Sequence, residues 1–273
     1  MTIKDILVHV DNTQAGKQRV NDALKLAQAY DAHLTGLYTY QIVALPAHAE
    51  MAMPDYLYAD LEKSSMERVA QAKQFFTNVT DAWKSKVTWA VREGDPVVSL
   101  VQQAACHDLV MVGARDPEAV PYNISGIPDR AAIESGRPIL VLPNEGLKEN
   151  LGKRILVAWN GKRESVRAVN DAMVFLTQAD AVEITAINEK DNHEIPCFDI
   201  AQHLSRHEVN VEANSYRSKH KSVGPGILDS AKIFGADMII MGAYGHSRLQ
   251  EYILGGATKF MLENTPLPIL LSH

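Results

Sequence analysis

Short runs of aliphatic residues alternate along this chain with longer segments whose apolar residues recur at helical spacing. This alternation predicts strands followed by helices, and strands that are apolar throughout are typical of a parallel sheet covered on both faces. In the second half of the chain we predict five strands, at about 154–159, 182–188, 210–216, 237–242 and 268–272. The helix predicted from about Glu164 to Thr177 has one docking face, formed by Val166, Val169, Ala172, Met173 and Leu176.

The strand pattern occurs twice. Three pairs of segments match in sequence order: 5–11 with 154–160, 108–113 with 237–242, and 138–142 with 268–272. A repeated order of strands indicates two related domains, which we place at residues 1–145 and 153–273, with a polar linker from Asn144 to Gly152. The predicted fold class is therefore α/β, with two tandem open parallel five-stranded sheets that carry helices on both faces.

Composition agrees with two ordinary globular domains and argues against several classes of partner. The chain has 273 residues, of which 46% are hydrophobic and 22% charged, and no apolar run approaches the roughly 18–20 residues of a membrane span. A net charge of −6 argues against a nucleic-acid partner, since such binding needs clustered Lys and Arg. The N-terminus has no signal-peptide pattern, and two cysteines are too few for a disulfide framework, so we expect a cytoplasmic protein.

The strongest candidate for a functional site is a glycine-rich segment near the C-terminus, directly after the apolar strand. Its glycine and hydroxyl residues keep a regular spacing: Gly242, Gly245, nine residues, then Gly255, Gly256 and Thr258. A strand that leads through glycines into a helix can present backbone N–H groups to a phosphate, because glycine permits tight turns and leaves no side chain in the way. The segment predicts a nucleotide site, and the alternative is an ordinary βα connection.

These segments resemble the universal stress protein family in its tandem form, with two domains in one chain. The resemblance covers nearly the whole sequence and is carried by 155–161, Gly224-Pro225, 236–242, the glycine-rich segment and 266–271. It implies a nucleotide-binding, α-hydrolase-like fold. The family's ATP-binding members carry Gly-x-x-Gly, nine residues, and then Gly followed by Ser or Thr. Here Gly256 replaces the hydroxyl residue, and Asn160 replaces an Asp that contacts the nucleoside.

The resemblance implies an adenine nucleotide in the C-terminal domain: ATP, with AMP or ADP as alternatives and Mg²⁺ as a companion ion. The implied binding residues are Ala158, Trp159, Asn160, Ile187, Met241, Gly242, Gly245, His246, Ser247, Arg248, Gly255, Gly256 and Thr258. For Trp159 and Met241 the alternative is core packing, and for His246 and Arg248 it is a solvated loop. The hydroxyl lost at Gly256 would weaken binding by about 1.5–3 kcal/mol unless a neighbouring hydroxyl replaces it.

The first domain departs from the nucleotide pattern. Two acids and several prolines occupy its corresponding segment: Asp116, Glu118, Pro117, Pro121 and Pro128. Carboxylates repel a polyphosphate and proline removes N–H donors, so we predict that this domain binds no ATP. Its expected role is structural, as one half of an intramolecular pseudo-dimer in which edge strands are covered. The apolar insertion from Tyr40 to Tyr58 is either a packing flap or a lid over a small-molecule pocket.

Two other chemistries are weaker alternatives. One series of residues has a spacing that could bind a metal ion: His193, Cys197, His203 and His207. A surface helix with scattered histidines explains the same residues, so we assign no metal ligand. The sequence contains no nucleophile elbow, H-E-x-x-H or Walker motif, so we assign no catalytic residue. The resemblance implies at most slow ATP hydrolysis or autophosphorylation.

We therefore predict a cytoplasmic stress-response protein that binds an adenine nucleotide in its C-terminal domain. Nucleotide binding would order the glycine-rich segment and change the surface offered to a protein partner. The alternative is a nucleotide-independent interaction or small-molecule-binding module. A homodimer is compatible with either interpretation.

Overall fold

The computed structural model describes most of the chain: residues 2–41, 55–115, 126–147, 151–187, 197–216, 218–220, 222–244 and 256–273. The strands are β1 (Asp5–Val10), β2 (His33–Tyr40), β3 (Val87–Glu93), β4 (Leu109–Gly113), β5 (Ile139–Leu142), β6 (Arg154–Ala158), β7 (Ala181–Ile187), β8 (Val211–Tyr216), β9 (Met238–Gly242) and β10 (Ile269–Ser272). The helices are α1 (Gln14–Tyr30), α2 (Asp55–Thr80), α3 (Pro96–Ala104), α4 (Ile127–Glu134), α5 (Arg163–Leu176), α6 (Phe198–Ser205), α7 (Val223–Phe234) and α8 (Ala257–Asn264). Most of the predicted insertion between Tyr40 and Tyr58 lies outside the described residues.

The ten described strands form one continuous sheet in the order β3-β2-β1-β4-β5-β10-β9-β6-β7-β8. Neighbouring strands are parallel within each half, and both halves have the same internal order. The predicted α/β fold with two parallel five-stranded halves is confirmed. β5 and β10 join the halves as an antiparallel pair, with Leu140 opposite Leu270. The carboxyl ends of the strands therefore lie at opposite edges of the sheet in the two halves.

Helices cover both faces of the sheet, and a separate apolar cluster lies beneath each layer. The first cluster packs under α1, α2, α5 and α6 and includes Val20, Phe76, Val169 and Leu204. The second packs under α3, α4, α7 and α8 and includes Leu100, Ala131, Ile227 and Met261. Strand residues that are buried on both faces explain the continuous aliphatic runs of the sequence. Among the described residues, none of the helices is both long and apolar enough to cross a membrane.

The internal repeat extends to the contacts that anchor the first strand of each half. Asp108, just before β4, accepts hydrogen bonds from the Lys4 and Asp5 N–H groups at 2.7 and 3.1 Å. Asp237, just before β9, accepts from the N–H groups of residues 152–154 at 2.8–3.0 Å. A carboxylate thus ties the beginning of the first strand to the fourth strand of each half.

The buried face of α5 is rotated relative to the prediction. Val169, Ala172 and Leu176 are buried as expected, but Val166 is 43% exposed, so its predicted place in the docking face is wrong. The cause is the close approach of the first turn to β9, where a Cβ on Gly242 would lie 2.6 Å from the backbone of Glu164 and Ser165. Small residues, Ser165 and Ala168, therefore face the sheet in place of a valine.

Candidate functional site

Ligands of such sheets bind outside the carboxyl ends of the strands, at the crevice where the strand order reverses. In the C-terminal half this crevice lies between β6 and β9. The predicted binding residues that the structure describes lie around the ends of β6, β7 and β9 and the start of α8: Ala158, Trp159, Asn160, Ile187, Met241, Gly242, Gly256 and Thr258. The others lie outside the described residues: Gly245, His246, Ser247, Arg248 and Gly255.

The predicted apolar residues are divided between the two faces of the sheet. Ala158 is directly opposite Met241 in the register of β6 and β9, and both pack, with Ile187, against the cluster beneath α7 and α8. Trp159 packs with the other cluster, and its backbone N–H donates to the Thr185 carbonyl at 2.9 Å. The first three residues therefore share one face and Trp159 lies on the other, because successive residues of an extended chain point to opposite sides.

Asn160 lies just beyond β6 with its side chain exposed at the edge of the crevice. Its Oδ1 accepts a hydrogen bond from the Lys162 N–H at 3.0 Å, which closes a short turn before α5. A carboxamide fixed in this way can both donate to and accept from a polar ligand. The corresponding residue of the N-terminal half, Asp11, has very different surroundings.

Thr258 connects the two ends of the glycine-rich segment. Its side chain is buried in the first turn of α8, and Oγ1 accepts a hydrogen bond from the Tyr244 N–H at 3.1 Å. Tyr244, two residues beyond the end of β9, has a left-handed backbone with φ of +53°. Because this conformation is costly for a tyrosine, the hydrogen bond to Thr258 helps to hold the chain where it leaves the sheet.

The N-terminus of α8 has the properties of an anion site. Gly256 is the N-cap residue, and no side-chain hydrogen bond caps this helix within the described residues. The N–H groups of its first turn have no partner inside the helix, and the helix dipole favours a negative charge there. The first turn contains no acid, and Lys259 is exposed in it. Lys259 is missing from the predicted set, although its place three residues after Gly256 is visible in the sequence.

The corresponding helix of the N-terminal half, α4, is unsuited to an anion. It also follows a glycine N-cap, Gly126, but Pro128 lies in its first turn and removes one N–H donor. Asp129 follows and adds a carboxylate at the same position that Lys259 occupies in α8. A phosphate near α4 would therefore meet fewer donors and a like charge.

The crevice of the N-terminal half, between β1 and β4, contains the side chain of Arg19. This residue of α1 is only 5% exposed. Its Nε donates to the His9 carbonyl at 2.8 Å, and its Nη2 lies 2.5 Å from Oδ2 of Asp11. A Cβ on Gly113, at the end of β4, would lie 2.2 Å from Nη1, so the guanidinium occupies the space beside the strand-end glycine. Ala168 stands at the matching position of α5.

The ionisation of this group is strongly perturbed. Burial, and after it the positive charge of Arg19, lowers the pKa of His9 to about 4 against the opposing effect of Asp11. Burial acts to raise the pKa of Asp11, but Arg19, His9 and hydrogen bonds from Thr13 outweigh it and bring that pKa to about 2. At neutral pH His9 is therefore neutral, its 4.0 Å contact with Asp11 is not an ion pair, and the buried pair is Asp11 with Arg19.

The described residues give little geometric support to the predicted metal site. His203 and His207 lie side by side, with ring centroids 4.9 Å apart, and Cys197 is the N-cap residue of α6. His193 lies outside the described residues. In the part of the chain that the structure describes, no three or more His, Cys, Asp or Glu side chains are grouped to hold a metal ion.

Comparison with known families agrees with the internal repeat and with the fold. The sequence model of the Universal stress protein family matches residues 2–127 and 188–273, well over half of the chain. The chain belongs to the universal stress protein family. The two matched segments lie in the two halves of the sheet, and the resemblance found in the motifs is confirmed.

Solved structures with the same fold extend over nearly all of this universal stress protein. A universal stress protein from Archaeoglobus fulgidus DSM 4304 is similar over 98% of this chain and 96% of its own, with a TM-score of 0.75 and 14% sequence identity. A functionally unknown protein from Pseudomonas aeruginosa PAO1 is similar over 99% of this chain and 92% of its own, with a TM-score of 0.56 and 13% identity. At these identities the likeness concerns the fold. No curated protein matches the sequence.

Proposed function

We propose that this universal stress protein binds an adenine nucleotide, ATP before AMP or ADP, in its C-terminal half and acts as a cytoplasmic, ligand-dependent stress-response factor. The N-terminal half, residues 1–145, has a structural role and binds no ATP. Family membership supports a nucleotide ligand in general. The choice of half rests on the comparison of the two crevices.

The observation that carries the proposal is the difference between the first turns of α8 and α4. Neither helix has a side-chain cap among the described residues, but the first turn of α8 contains Lys259, whereas that of α4 contains Pro128 and Asp129. An anion at a helix N-terminus is stabilised by about 0.3–1 kcal/mol, and by up to about 2 kcal/mol when partly buried. A nearby lysine strengthens and a nearby carboxylate weakens this attraction.

The second support is the space at the strand ends. Arg19 fills the crevice beside Gly113, whereas Ala168 supplies no guanidinium beside Gly242, whose nearest neighbours are the backbone and Cβ of Glu164 and the backbone N of Ser165. In the proposed complex the base and ribose lie near Ala158 and the exposed amide of Asn160. The phosphates lie toward the glycine-rich segment and the start of α8, and a Mg²⁺ ion accompanies them. Binding of the phosphates there would alter the surface offered to a protein partner.

Calorimetric titration with ATP and with AMP, each with and without Mg²⁺, tests the proposal. We expect saturable binding at one site per chain. Lys259→Asp, which copies Asp129 of the first half, should weaken ATP binding by about tenfold or more, because it places a carboxylate near the phosphates. Since Lys259 is exposed, the variant should remain folded.

Lys232→Asp is the matched control, because it makes the same charge change on an exposed residue at the end of α7, at the opposite edge of the sheet. Its ATP affinity should stay within about twofold of the affinity of the original protein. Equal losses in both variants would show that net charge, and not the start of α8, controls binding. Absence of binding for every adenine nucleotide would overturn the proposal and favour a nucleotide-independent interaction module.

A further inference from the structure

Tyr244 is held from two sides at the point where the chain leaves β9. Its backbone N–H donates to Thr258 in α8, and its phenol O–H donates to Oδ1 of Asp129 at 2.5 Å. Asp129 belongs to α4 of the other half. The stem of the glycine-rich segment in the C-terminal half is therefore attached to the N-terminal half by a hydrogen bond to a carboxylate, which is among the stronger kinds.

A second contact crosses the same interface in the opposite sense. Arg115 lies two residues beyond Gly113, as Tyr244 lies two residues beyond Gly242. Its Nη1 donates to Oε1 of Glu263 in α8 at 2.7 Å. Each half thus sends the second residue after its strand-end glycine onto the last helix of the other half. Only the contact made by Tyr244 leads into the segment proposed to hold the phosphates.

The side chain of Asp129 is confined by burial and by a nearby cation. Its Oδ2 is buried with no hydrogen-bond partner among the described residues, it lies 3.9 Å from Nε of Arg115, and the side chain is only 18% exposed. An acceptor confined in this way limits the positions open to the hydroxyl group of Tyr244. The left-handed backbone of Tyr244 needs such support, because an isolated tyrosine rarely adopts it.

We infer that Asp129 is a positioning residue for the nucleotide site of the other half. It acts through Tyr244, whose fixed side chain and backbone set the direction in which the glycine-rich segment leaves the sheet. Its effect on nucleotide affinity rests on the proposed function, whereas its effect on the stem of the segment does not. The N-terminal half would then contribute to binding without contacting the ligand.

Tyr244→Phe is the main test, because it removes one hydroxyl group and changes no charge. ATP affinity measured by calorimetry should fall by about fivefold, the lower end of typical couplings between sites. Hydrogen exchange at the Tyr244 amide, measured without nucleotide, should be about tenfold faster, because the hydrogen bond from this N–H to Thr258 opens more often. Asp129→Ala should produce the same faster exchange.

Two variants separate positioning from general damage to the interface. Asp129→Asn keeps an acceptor oxygen for the phenol, so exchange at Tyr244 and ATP affinity should return to within about twofold of the original values. Glu263→Gln weakens the reciprocal contact with Arg115, and it should leave both measurements within about twofold. In the double variant Tyr244→Phe with Asp129→Ala, exchange should be no faster than in either single variant.

Unchanged exchange in Tyr244→Phe would overturn the inference, and so would equal effects of Tyr244→Phe and Glu263→Gln. Faster exchange with unchanged ATP affinity would also overturn it, because the stem would then be fixed without consequence for the ligand. If the original protein binds no adenine nucleotide, the proposed function fails. The exchange measurement then decides separately whether Asp129 holds the stem.

Discussion

The two halves place different chemistry in the same position of the same fold. At the end of the first strand the N-terminal half has Asp11 and the C-terminal half has Asn160. Opposite them stand Arg19 and Ala168. The first pair forms a buried ion pair that fills the crevice, and the second leaves an exposed amide at its edge. One fold can therefore stabilise itself with the residues of one crevice and expose the residues of the other.

The strand-end glycines of the two halves also have different neighbours. Gly113 is close to a guanidinium group, whereas Gly242 is close to the backbone of α5. Both positions exclude a side chain, but the excluded space belongs to different neighbours. A glycine in a nucleotide-type segment can thus be required for packing within the protein, whatever its effect on a ligand.

The largest effect on this comparison is expected from Arg19→Ala, which copies Ala168 into the N-terminal half. It leaves the carboxylate of Asp11 largely buried without its cation, and loss of one partner of a buried ion pair costs about 3–5 kcal/mol. Urea titration followed by tryptophan fluorescence should show a free energy of unfolding about 3 kcal/mol lower.

The double variant Arg19→Ala with Asp11→Asn copies both residues of the C-terminal half and removes the unpaired charge. It should therefore be more stable than Arg19→Ala alone. Additive losses from the two single changes would contradict the interpretation of Asp11 and Arg19 as one pair.

The next largest effect separates the two strand-end glycines. Gly242→Ala should lower the free energy of unfolding by about 2–3 kcal/mol, because the backbone of α5 cannot move aside easily. Gly113→Ala should cost less, about 1 kcal/mol, because the nearest atoms are the end of the Arg19 side chain. Thermal unfolding of the two variants measures the difference, and a reversed order would contradict the two assigned neighbours.

Acid should weaken the N-terminal half through His9, which has Ala158 as its counterpart in the C-terminal half. The pKa of His9 is about 4 in the folded protein against an ordinary 6.5, so the unfolded chain binds more protons between these values. The stability that neutral His9 contributes is complete above pH 6.5 and is lost as the pH falls toward 4. From pH 7 to pH 5 this group should lower the free energy of unfolding by roughly 2 kcal/mol.

Urea titrations at both pH values measure this change, with His9→Gln as the control that cannot titrate. In the variant, the free energy of unfolding should change much less between pH 7 and pH 5. An unchanged pH dependence would assign the acid sensitivity to other groups. Below pH 4 protonation of Asp11, whose pKa is about 2 against an ordinary 3.8, should remove further stability.

The smallest effect on stability is expected from Asn160→Ala. The side chain is exposed and forms one hydrogen bond within a turn. The free energy of unfolding, measured by thermal unfolding, should therefore change by less than about 1 kcal/mol. Asp11→Ala, at the matching position, should cost about 3 kcal/mol, because it leaves Arg19 buried and unpaired. Similar losses in these two variants would remove the distinction between the two crevices.

The sequence pattern predicted the architecture well and the site less completely. All five predicted strands of the C-terminal half agree with the structure within one residue at each end, because aliphatic runs and turn residues are local signals. The separation of Trp159 from Met241 depends on strand register, and the burial of Thr258 depends on the place of α8 against the sheet. Neither is visible in a run of residues.

Arg19 shows most clearly what the pattern could not predict. It lies in the first helix, far along the chain from Gly113, and an arginine on a helix is usually solvated. Its burial follows from the position of α1 over β1 and β4, which only the assembled sheet defines. The acids and prolines of the first half predict that it binds no ATP. This remains a prediction, and the Arg19 side chain that fills the crevice is a second physical reason for it.

The antiparallel pair of β5 and β10 has a consequence for stoichiometry. When two copies of one domain meet across a twofold axis, every substitution appears in both, so the two sides cannot differ. Here the partner across the sheet is a permanent part of the same molecule, with a sequence of its own. Arg19 and Ala168 can therefore coexist in every molecule in a fixed one-to-one ratio, at any protein concentration.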